Sequence, residues 1–288
     1  ILFFIGLFLR LYKINGFITF LGDQGRDAII IKRIITFEHF PAIGPPTSIG
    51  QVYLGPFYYY FIAPWLWFSN FDPIGPAIGV AVLSSFFIVL SYILIKDIFD
   101  KKIALFSSIL ITFSSVIIEF SRFSWNPNLL PFFAFFFFYF VYKSQKDQKI
   151  FWYFLVGAFL SFSIQLHYLA LFLIPSSAIY FIFQIIKKKK KTLEVIKGLM
   201  ISVASFIFFS IPLVIFDLRH NFLNLNNCTL TFYFLFNIFS SICSIFINLG
   251  SKIFERSKSR KMPIREIIKP VFNRFIFCSS IFISNSIK

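Results

Sequence analysis

The chain has 288 residues, of which 58% are hydrophobic, 22% aromatic and 14% charged, and its mean hydropathy is +0.79. This composition excludes a soluble globular domain and predicts an integral membrane protein with several spans. A formal charge of +16 would suggest a nucleic-acid partner in a soluble protein. Here the Lys and Arg residues lie in short links between apolar stretches, so we expect them to set membrane topology and expect no nucleic-acid partner.

Eight apolar stretches are predicted to cross the membrane as helices, because none has the alternating pattern of a β-barrel strand. In chain order they are approximately 1–12, 74–95, 103–120, 129–142, 150–165, 168–186, 195–216 and 229–249. The run 57–68 is short and contains Pro64, so it is predicted to be re-entrant or interfacial. The predicted fold class is therefore an all-α polytopic membrane bundle of about 8 spans plus this segment.

Basic residues divide the links between these spans into two sets. Twelve Lys residues lie in the three short links 96–102, 143–149 and 187–197. The links of the other set have far more residues but hold only six Lys or Arg residues. By the positive-inside rule the first set is cytoplasmic and the second is external, which also puts the basic stretch 252–274 inside.

The acidic segment GDQGRDA, residues 22–28, falls in the long external loop 13–73. After it, isoleucines recur at helical spacing with basic residues between them, which predicts a helix lying at the membrane interface. Asp23 and Asp27 are near the start of this helix. One interpretation is that they are simple N-caps, and the other is that they belong to a functional site.

Other polar side chains collect on the same predicted side of the membrane. They come from the segments EFSRFSWNPN, QLHY and DLRHN, and they include arginines, amides and histidines beside aromatic residues. Arginine presents a planar fork to phosphate oxygens, an amide or Trp can hold sugar hydroxyls, and a carboxylate can act as a general base. The set predicts a site at the outer membrane boundary that holds an anionic lipid headgroup, although the position of His167 taken alone favours a structural role.

Five segments in this order carry a family resemblance: FLGDQGRDA, PPTSIGQVYLGPFYYYFIAPWLWFSNFDPIGPA, SRFSWNPNLLPFF, QLHYLALFLIP and DLRHNF. Together they cover approximately residues 1–225 and resemble the bacterial and archaeal membrane glycosyltransferases of the dolichyl-phosphate-mannose protein mannosyltransferase type, glycosyltransferase family 39. The resemblance implies a GT-C fold, an essential acidic residue in the first external loop, and a polyprenyl-phosphate-linked sugar donor used on the outer face. We accordingly expect an enzyme of the cytoplasmic membrane of a prokaryote with its active site facing outside.

The resemblance places the family's external-loop acidic residue at Asp23, which is expected to be the catalytic base. Gln24 stands where many relatives have Glu, which argues against a two-carboxylate or metal-assisted mechanism. No metal-ligand spacing is present, so no metal site and no cofactor are assigned, and a divalent cation is left open. The residues expected to bind the donor phosphate are Arg122, Arg219 and His220. Those expected to contact the substrates are Arg26, Asp27, Tyr53, Tyr58, Tyr59, Trp125, Asn126 and His167.

The expected function is transfer of a sugar from a polyprenyl-phosphate donor to a lipid, glycan or protein acceptor, among membrane lipids. Two other classes stay open: a lipid-linked oligosaccharide polymerase or flippase, and a non-catalytic membrane protein. A flippase would place its charges inside the spans, whereas here they gather at the outer helix ends. We predict a catalytic region at 1–228 and a further span with a basic cytoplasmic tail at 229–288. The family pattern stops at about residue 228 and relatives commonly run longer, so we also expect the chain to be truncated at its end and to lack a few residues before Ile1.

Overall fold

The computed structural model describes residues 1–47, 52–187 and 192–227, and residues Ile1–Leu225 form one compact unit. The predicted span 229–249, the basic tail and most of the run 187–191 lie outside the described residues. Secondary structure within the described ranges is helical apart from one isolated antiparallel bridge between Pro46 and Tyr53. The helices are α1 (Leu2–Leu11), α2 (Ile14–Phe17), α3 (Gly22–Ile35), α4 (Phe57–Phe68), α5 (Ile74–Ile98), α6 (Lys101–Phe113), α7 (Ser115–Phe120), α8 (Asn126–Asp147), α9 (Ile150–Leu166), α10 (Leu173–Lys187), α11 (Thr192–Phe209) and α12 (Ile211–Arg219), with a 3₁₀ turn at Tyr168–Phe172 before α10.

Two helical stretches of the described chain are long and apolar enough to cross a membrane, namely α5 and Tyr168–Ile186. A third crossing results if α11 and α12, which meet at a bend of 65°, form one broken span. α1 and α9 are apolar but shorter. The predicted all-α membrane fold is confirmed, whereas the predicted number of spans stays a prediction.

The predicted span 103–120 is divided into two helices at Ser114. α6 ends at Phe113, and the Ser114 backbone is extended, with ψ at 115°. Its hydroxyl then accepts a hydrogen bond from the Ile117 amide at 3.4 Å and caps α7. Serine favours such caps because its side chain competes locally with helical backbone bonds.

The main core lies where α3 and α4 pack against α5, α8 and α9. Its buried residues are Ile31, Ile34, Tyr58, Tyr59, Ile62, Leu66, Val80, Leu129 and Leu166. α3 contributes Ile31 and Ile34 from the apolar face that the sequence predicts, while α4 buries one face and leaves Trp67 and Phe68 exposed at its end. At 12 residues, α4 is shorter than the roughly 20 residues that a membrane crossing needs. The buried interface of α3 with α4 positions the acidic segment.

A buried arginine, Arg10, connects the first helix to the rest of the bundle. Its guanidinium donates to the Ser84 hydroxyl at 2.8 Å, to the Gly6 carbonyl at 3.1 Å and to the Ile111 carbonyl at 3.0 Å. No acidic side chain among the described residues pairs with it. A charge away from water needs several hydrogen bonds. Arg10 obtains them from α5 and α6 as well as from α1, so its contacts hold α1 against these two helices.

Candidate functional site

The acidic segment forms the first two turns of α3. The N-cap residue is Leu21. Its backbone amide donates a hydrogen bond to Oε1 of Gln24 at 2.9 Å, so the Gln24 side chain pairs with a backbone group at the start of the helix. Asp23 lies in the first turn, where the helix dipole favours a carboxylate, and Asp27 lies one turn further along. Neither aspartate caps the helix, and the interpretation of both as N-caps is wrong.

Arg26 connects the two aspartates. Its Nε and Nη2 atoms donate to Oδ1 of Asp27 at 2.9 and 2.8 Å, and its Nη1 atom donates to Oδ1 of Asp23 at 2.9 Å. The Asp23 side chain is 53% exposed, whereas that of Asp27 is only 4% exposed. We call Asp23, Arg26 and Asp27 the aspartate cluster. It presents one carboxylate to solvent and buries the other.

The buried member of the aspartate cluster has an unusual environment. Oδ2 of Asp27 is buried, and no described donor meets hydrogen-bond geometry at this atom. It lies at a cavity of about 10 Å³, which has room for about one water molecule and for no sugar. Burial raises the pKa of Asp27 to about 6, although Arg26 acts in the opposite direction; Asp23 adds to the increase.

Two of the predicted tyrosines surround Asp27. The Tyr58 hydroxyl is 2.6 Å from the Ser124 hydroxyl, and both residues line the same small cavity as Asp27. Tyr59, the next residue of α4, is also buried, and its hydroxyl is close enough to lower the pKa of Asp27 slightly. Both side chains are enclosed in the core, so they support Asp27 instead of lining an open surface.

The segment after α7 gives Arg122 and Trp125 different surroundings. Nη2 of Arg122 donates to the Leu9 carbonyl at 2.6 Å, and its guanidinium lies 4.7 Å from the centre of the Phe17 ring. Its Nε is buried and has no hydrogen-bond partner among the residues that the structure describes. Trp125 lines an apolar cavity of about 270 Å³ between α5, α7 and α8. Ser124 thus borders the Asp27 cavity, and its neighbour Trp125 borders a larger one.

The predicted residues Asn126 and His167 lie at a connection between helices. Nδ2 of Asn126 donates to the Leu166 carbonyl at 2.6 Å, which joins the start of α8 to the end of α9. Nδ1 of His167 accepts the Leu169 amide at 3.2 Å, and burial lowers the pKa of this imidazole. Both side chains therefore have structural partners.

Gln165 fixes the chain just before α4. Its Nε2 donates to the Ser161 hydroxyl at 2.9 Å and to the Phe209 carbonyl at 3.0 Å, and its Oε1 accepts the Phe57 amide at 3.4 Å. A Cβ atom at Gly55 would overlap the Gln165 side chain, so the close approach requires glycine at this position.

A second group forms around Tyr53. Asn224 accepts the Tyr53 amide at 2.8 Å and donates to the Tyr53 carbonyl at 3.0 Å. Asp217 accepts the Asn224 amide at 2.8 Å and so holds the turn after α12. The Phe216 ring packs against Tyr53, at 5.7 Å between ring centres, and against His220, at 4.2 Å. Sequence reasoning missed Asn224, whose partner is 171 residues away and has no local signal.

The structure therefore gathers the predicted site residues into two groups. The aspartate cluster is flanked by Tyr58 and Tyr59, and the second group brings Tyr53 close to His220. Arg219 is exposed beside His220. Among the described residues, no hydrogen bond or ion pair joins Arg122, Arg219 or His220 to Asp23. The same residues contain no group of three or more His, Cys, Asp or Glu side chains that could hold a metal ion.

A family model described as dolichyl-phosphate-mannose-protein mannosyltransferase matches residues 54–215, more than half of the chain. The chain belongs to this family. No curated protein and no solved structure matches it significantly. The resemblance seen in the sequence is confirmed, and with it the class: the protein is a membrane glycosyltransferase of the GT-C type.

The matched range begins after α3 and ends before the last turn of α12. The aspartate cluster, Tyr53, Arg219 and His220 all lie outside it. Their roles, including that of Asp23 as the base, consequently stay predictions. The matched range does contain the remaining predicted positions: Tyr58, Tyr59, Arg122, Trp125, Asn126 and His167.

Proposed function

We propose that this family member transfers a sugar from a polyprenyl-phosphate-linked donor to an acceptor at the extracytoplasmic membrane face, with Asp23 as the general base. The observation that carries the proposal is the aspartate cluster at the start of α3. Arg26 holds the exposed carboxylate of this cluster. The helices α4 to α11, which follow α3, lie in the range matched by the glycosyltransferase family. An exposed, oriented carboxylate can reach an acceptor hydroxyl, whereas the buried one cannot.

The proposed chemistry requires one proton transfer and one displacement. An acceptor hydroxyl gives its proton to Asp23 while its oxygen bonds to the anomeric carbon of the sugar. The bond from that carbon to the phosphate oxygen breaks, and the polyprenyl phosphate leaves with the electron pair. A carboxylate suffices as the base because the hydroxyl becomes acidic as the new bond forms. The proton transfer and the displacement balance without a cofactor. The participation of a divalent cation is left open.

The departing phosphate gains negative charge, which cations stabilise. Arg219 and His220 are exposed and lie together at the end of α12, so they are accessible to a lipid phosphate. Arg122 already donates to a backbone carbonyl, and its remaining N–H groups are the part that a phosphate could use. The apolar cavity beside Trp125 has a size and lining that suit the first isoprene units of such a donor.

The proposed outward orientation rests on the two ends of α8. The helix begins at Asn126, beside the candidate site, and ends near Lys143 and Lys146. Its 22 residues separate these ends by about 33 Å, so the basic end of α8 lies far from the candidate site. Since basic links face the cytoplasm, the candidate site belongs on the opposite side.

Transfer from a panel of radiolabelled polyprenyl-phosphate monosaccharides tests the proposal. In membranes containing the protein, we expect one panel member to lose its sugar to a product that carries a single added residue. A product with a ladder of lengths would instead indicate a polymerase. The Asp23→Asn variant should lose about 100-fold or more of the rate, as general-base removal typically does.

Glu38→Gln is the matched control for this variant. Glu38 is also an exposed carboxylate, just beyond the far end of α3, and it faces Arg33 at 3.8 Å. We expect it to keep its full transfer rate. Folded Asp23→Asn protein with near-normal transfer would contradict the assignment of the base.

A further inference from the structure

The buried position of Asp27 raises a question about its role. The sequence groups it with the residues that contact substrates, yet its side chain is almost inaccessible and its cavity is too small for a sugar. Its described hydrogen bonds are with Arg26, and the Tyr59 hydroxyl lies close to it. We infer that Asp27 is a positioning residue, which acts on the acceptor only through Arg26 and the exposed Asp23. This inference rests on the proposed function, because it takes Asp23 as the base.

The geometry of Arg26 supports the inference. Nε and Nη2 both bond to Oδ1 of Asp27, which fixes the plane of the guanidinium and directs Nη1 to Asp23. Arginine has several rotatable bonds, and a single contact to an exposed carboxylate at position i−3 would not hold it. The contact with Asp27 therefore orients the Arg26 guanidinium, and the oriented guanidinium in turn holds the Asp23 carboxylate.

Asp27 itself is held by a rigid surrounding. Ile31 and Ile34 of the same helix are buried, and Tyr58 and Tyr59 of α4 pack beside the carboxylate. An anchor placed in a packed helix interface varies little in position, which is what a group that aligns a catalytic side chain requires. By contrast, Asp23 lies in an exposed first turn.

Burying a carboxylate whose Oδ2 meets no described hydrogen-bond donor in good geometry costs folding free energy, and a purely structural role gives no reason for that cost. An apolar residue of similar volume would pack between α3 and α4 without this penalty. Such unsatisfied polar groups in native proteins concentrate at functional sites. The burial of Asp27 therefore points to a functional role, as its ion pair with Arg26 does.

The charge balance of the cluster gives this role a pH dependence. The charged and titratable groups around Asp27 are Arg26 and Asp23 on α3 and Tyr58 and Tyr59 on α4. While Asp27 is ionised, the guanidinium charge is shared between two carboxylates. Once Asp27 is protonated, its ion pair with Arg26 is lost and the guanidinium is no longer fixed toward Asp23. Transfer should therefore decline as the pH falls through about 6, where Asp27 protonates.

The test compares wild-type protein, Asp27→Asn, Arg26→Gln and the double variant in proteoliposomes, with radiolabelled polyprenyl-phosphate mannose or the active member of the panel as the probe. For Asp27→Asn we expect a kcat about 10-fold lower, with KM values for sugar donor and acceptor within about 2-fold. The acidic limb of the pH profile near 6 should disappear. The double variant should be no slower than Arg26→Gln alone, because both changes break one chain of contacts.

Several outcomes would overturn the inference. A raised KM with unchanged kcat would make Asp27 a substrate contact, and additive losses in the double variant would make it independent of Arg26. If Asp27→Asn does not fold, Arg26→Gln decides: a full rate with the wild-type pH profile overturns the role. Should Asp23→Asn abolish transfer while Asp27→Asn matches wild type, only the positioning role fails. Should Asp23→Asn retain transfer, the proposed base fails first.

Discussion

Two clusters of ion pairs lie at opposite ends of the helices, and their bonding differs. At the end of α8, Lys143 is 3.4 Å from Asp97 and 2.9 Å from Asp147, and Lys146 is 3.2 Å from Asp97. Tyr139 and Trp152 donate one further hydrogen bond each to these carboxylates. We call this the lysine cluster; its two cations balance two anions. In the aspartate cluster, one cation serves two anions, and no described donor meets hydrogen-bond geometry at the buried Oδ2 of Asp27.

The difference in bonding indicates that the lysine cluster has a structural role and that the aspartate cluster has a chemical one. A balanced and hydrogen-bonded network holds helix ends together and gains nothing from further partners. An unbalanced one leaves a carboxylate available to accept a proton. Its buried member, Asp27, has a raised pKa, and groups with shifted pKa values concentrate at functional sites. Variants of the two clusters can therefore separate the two roles.

Removing one negative charge from each cluster should separate the two roles most clearly. We expect Asp23→Asn to reduce sugar transfer about 100-fold or more, because the acceptor loses its base. Asp97→Asn, at the lysine cluster, should change the rate less than about 2-fold, because no acceptor hydroxyl depends on it. Initial rates of label transfer, normalised to folded protein from size-exclusion chromatography, measure both. Equal losses in the two variants would contradict the comparison.

The pH dependence of stability should distinguish Asp27 from ordinary carboxylates. Its pKa in the folded protein is raised from 3.8 to about 6 by burial, so the folded state binds a proton more tightly than the unfolded state. The resulting stability is fully present below pH 3.8 and is lost as the pH rises through about 6. Between these two values the free energy of unfolding should fall by about 1.4 kcal/mol for each pH unit. Thermal melts in detergent at pH 4 to 7 should show this decline in wild type, and a decline of equal size in Asp27→Asn would exclude Asp27 as its source.

The weakest effect is expected at the lysine cluster. Lys143→Met removes the cation that joins the ends of α5 and α8 while keeping the length of the side chain. We expect a loss of about 1 kcal/mol or less in the free energy of unfolding, because the pair lies near the helix ends. Sugar transfer should be unchanged. A melting temperature lowered together with a several-fold slower transfer would show that this cluster also affects the site.

The sequence was sufficient for the class and for the local pattern of the site. Its apolar content predicted an all-α membrane protein, its ordered motifs predicted the family, and the isoleucine spacing after Asp27 predicted the amphipathic α3. All three rest on composition or on neighbours within a few residues, which a single chain displays directly. The N-cap interpretation failed because the preference of aspartate for caps is only local, whereas Gln24 caps the helix and Arg26 takes both carboxylates.

The rest depended on contacts between distant residues. The burial of Asp27 results from the packing of Tyr58 and Tyr59, which are about thirty residues further along the chain. Arg10 was not singled out because its partners, Ser84 and Ile111, are on other helices. The break at Ser114 depends on a single hydroxyl within a run that is otherwise continuous and apolar. Spacing alone reveals none of these partners.

The stoichiometry of transfer by the purified protein in proteoliposomes tests the proposed chemistry most directly. The probe is the active polyprenyl-phosphate sugar, labelled in both the sugar and the lipid. We predict that one sugar reaches the acceptor for each polyprenyl phosphate released, and that Asp23→Asn forms neither product above background. Transfer by folded Asp23→Asn at the wild-type rate, or sugar release without a matching acceptor product, would contradict the proposed transfer with Asp23 as its base.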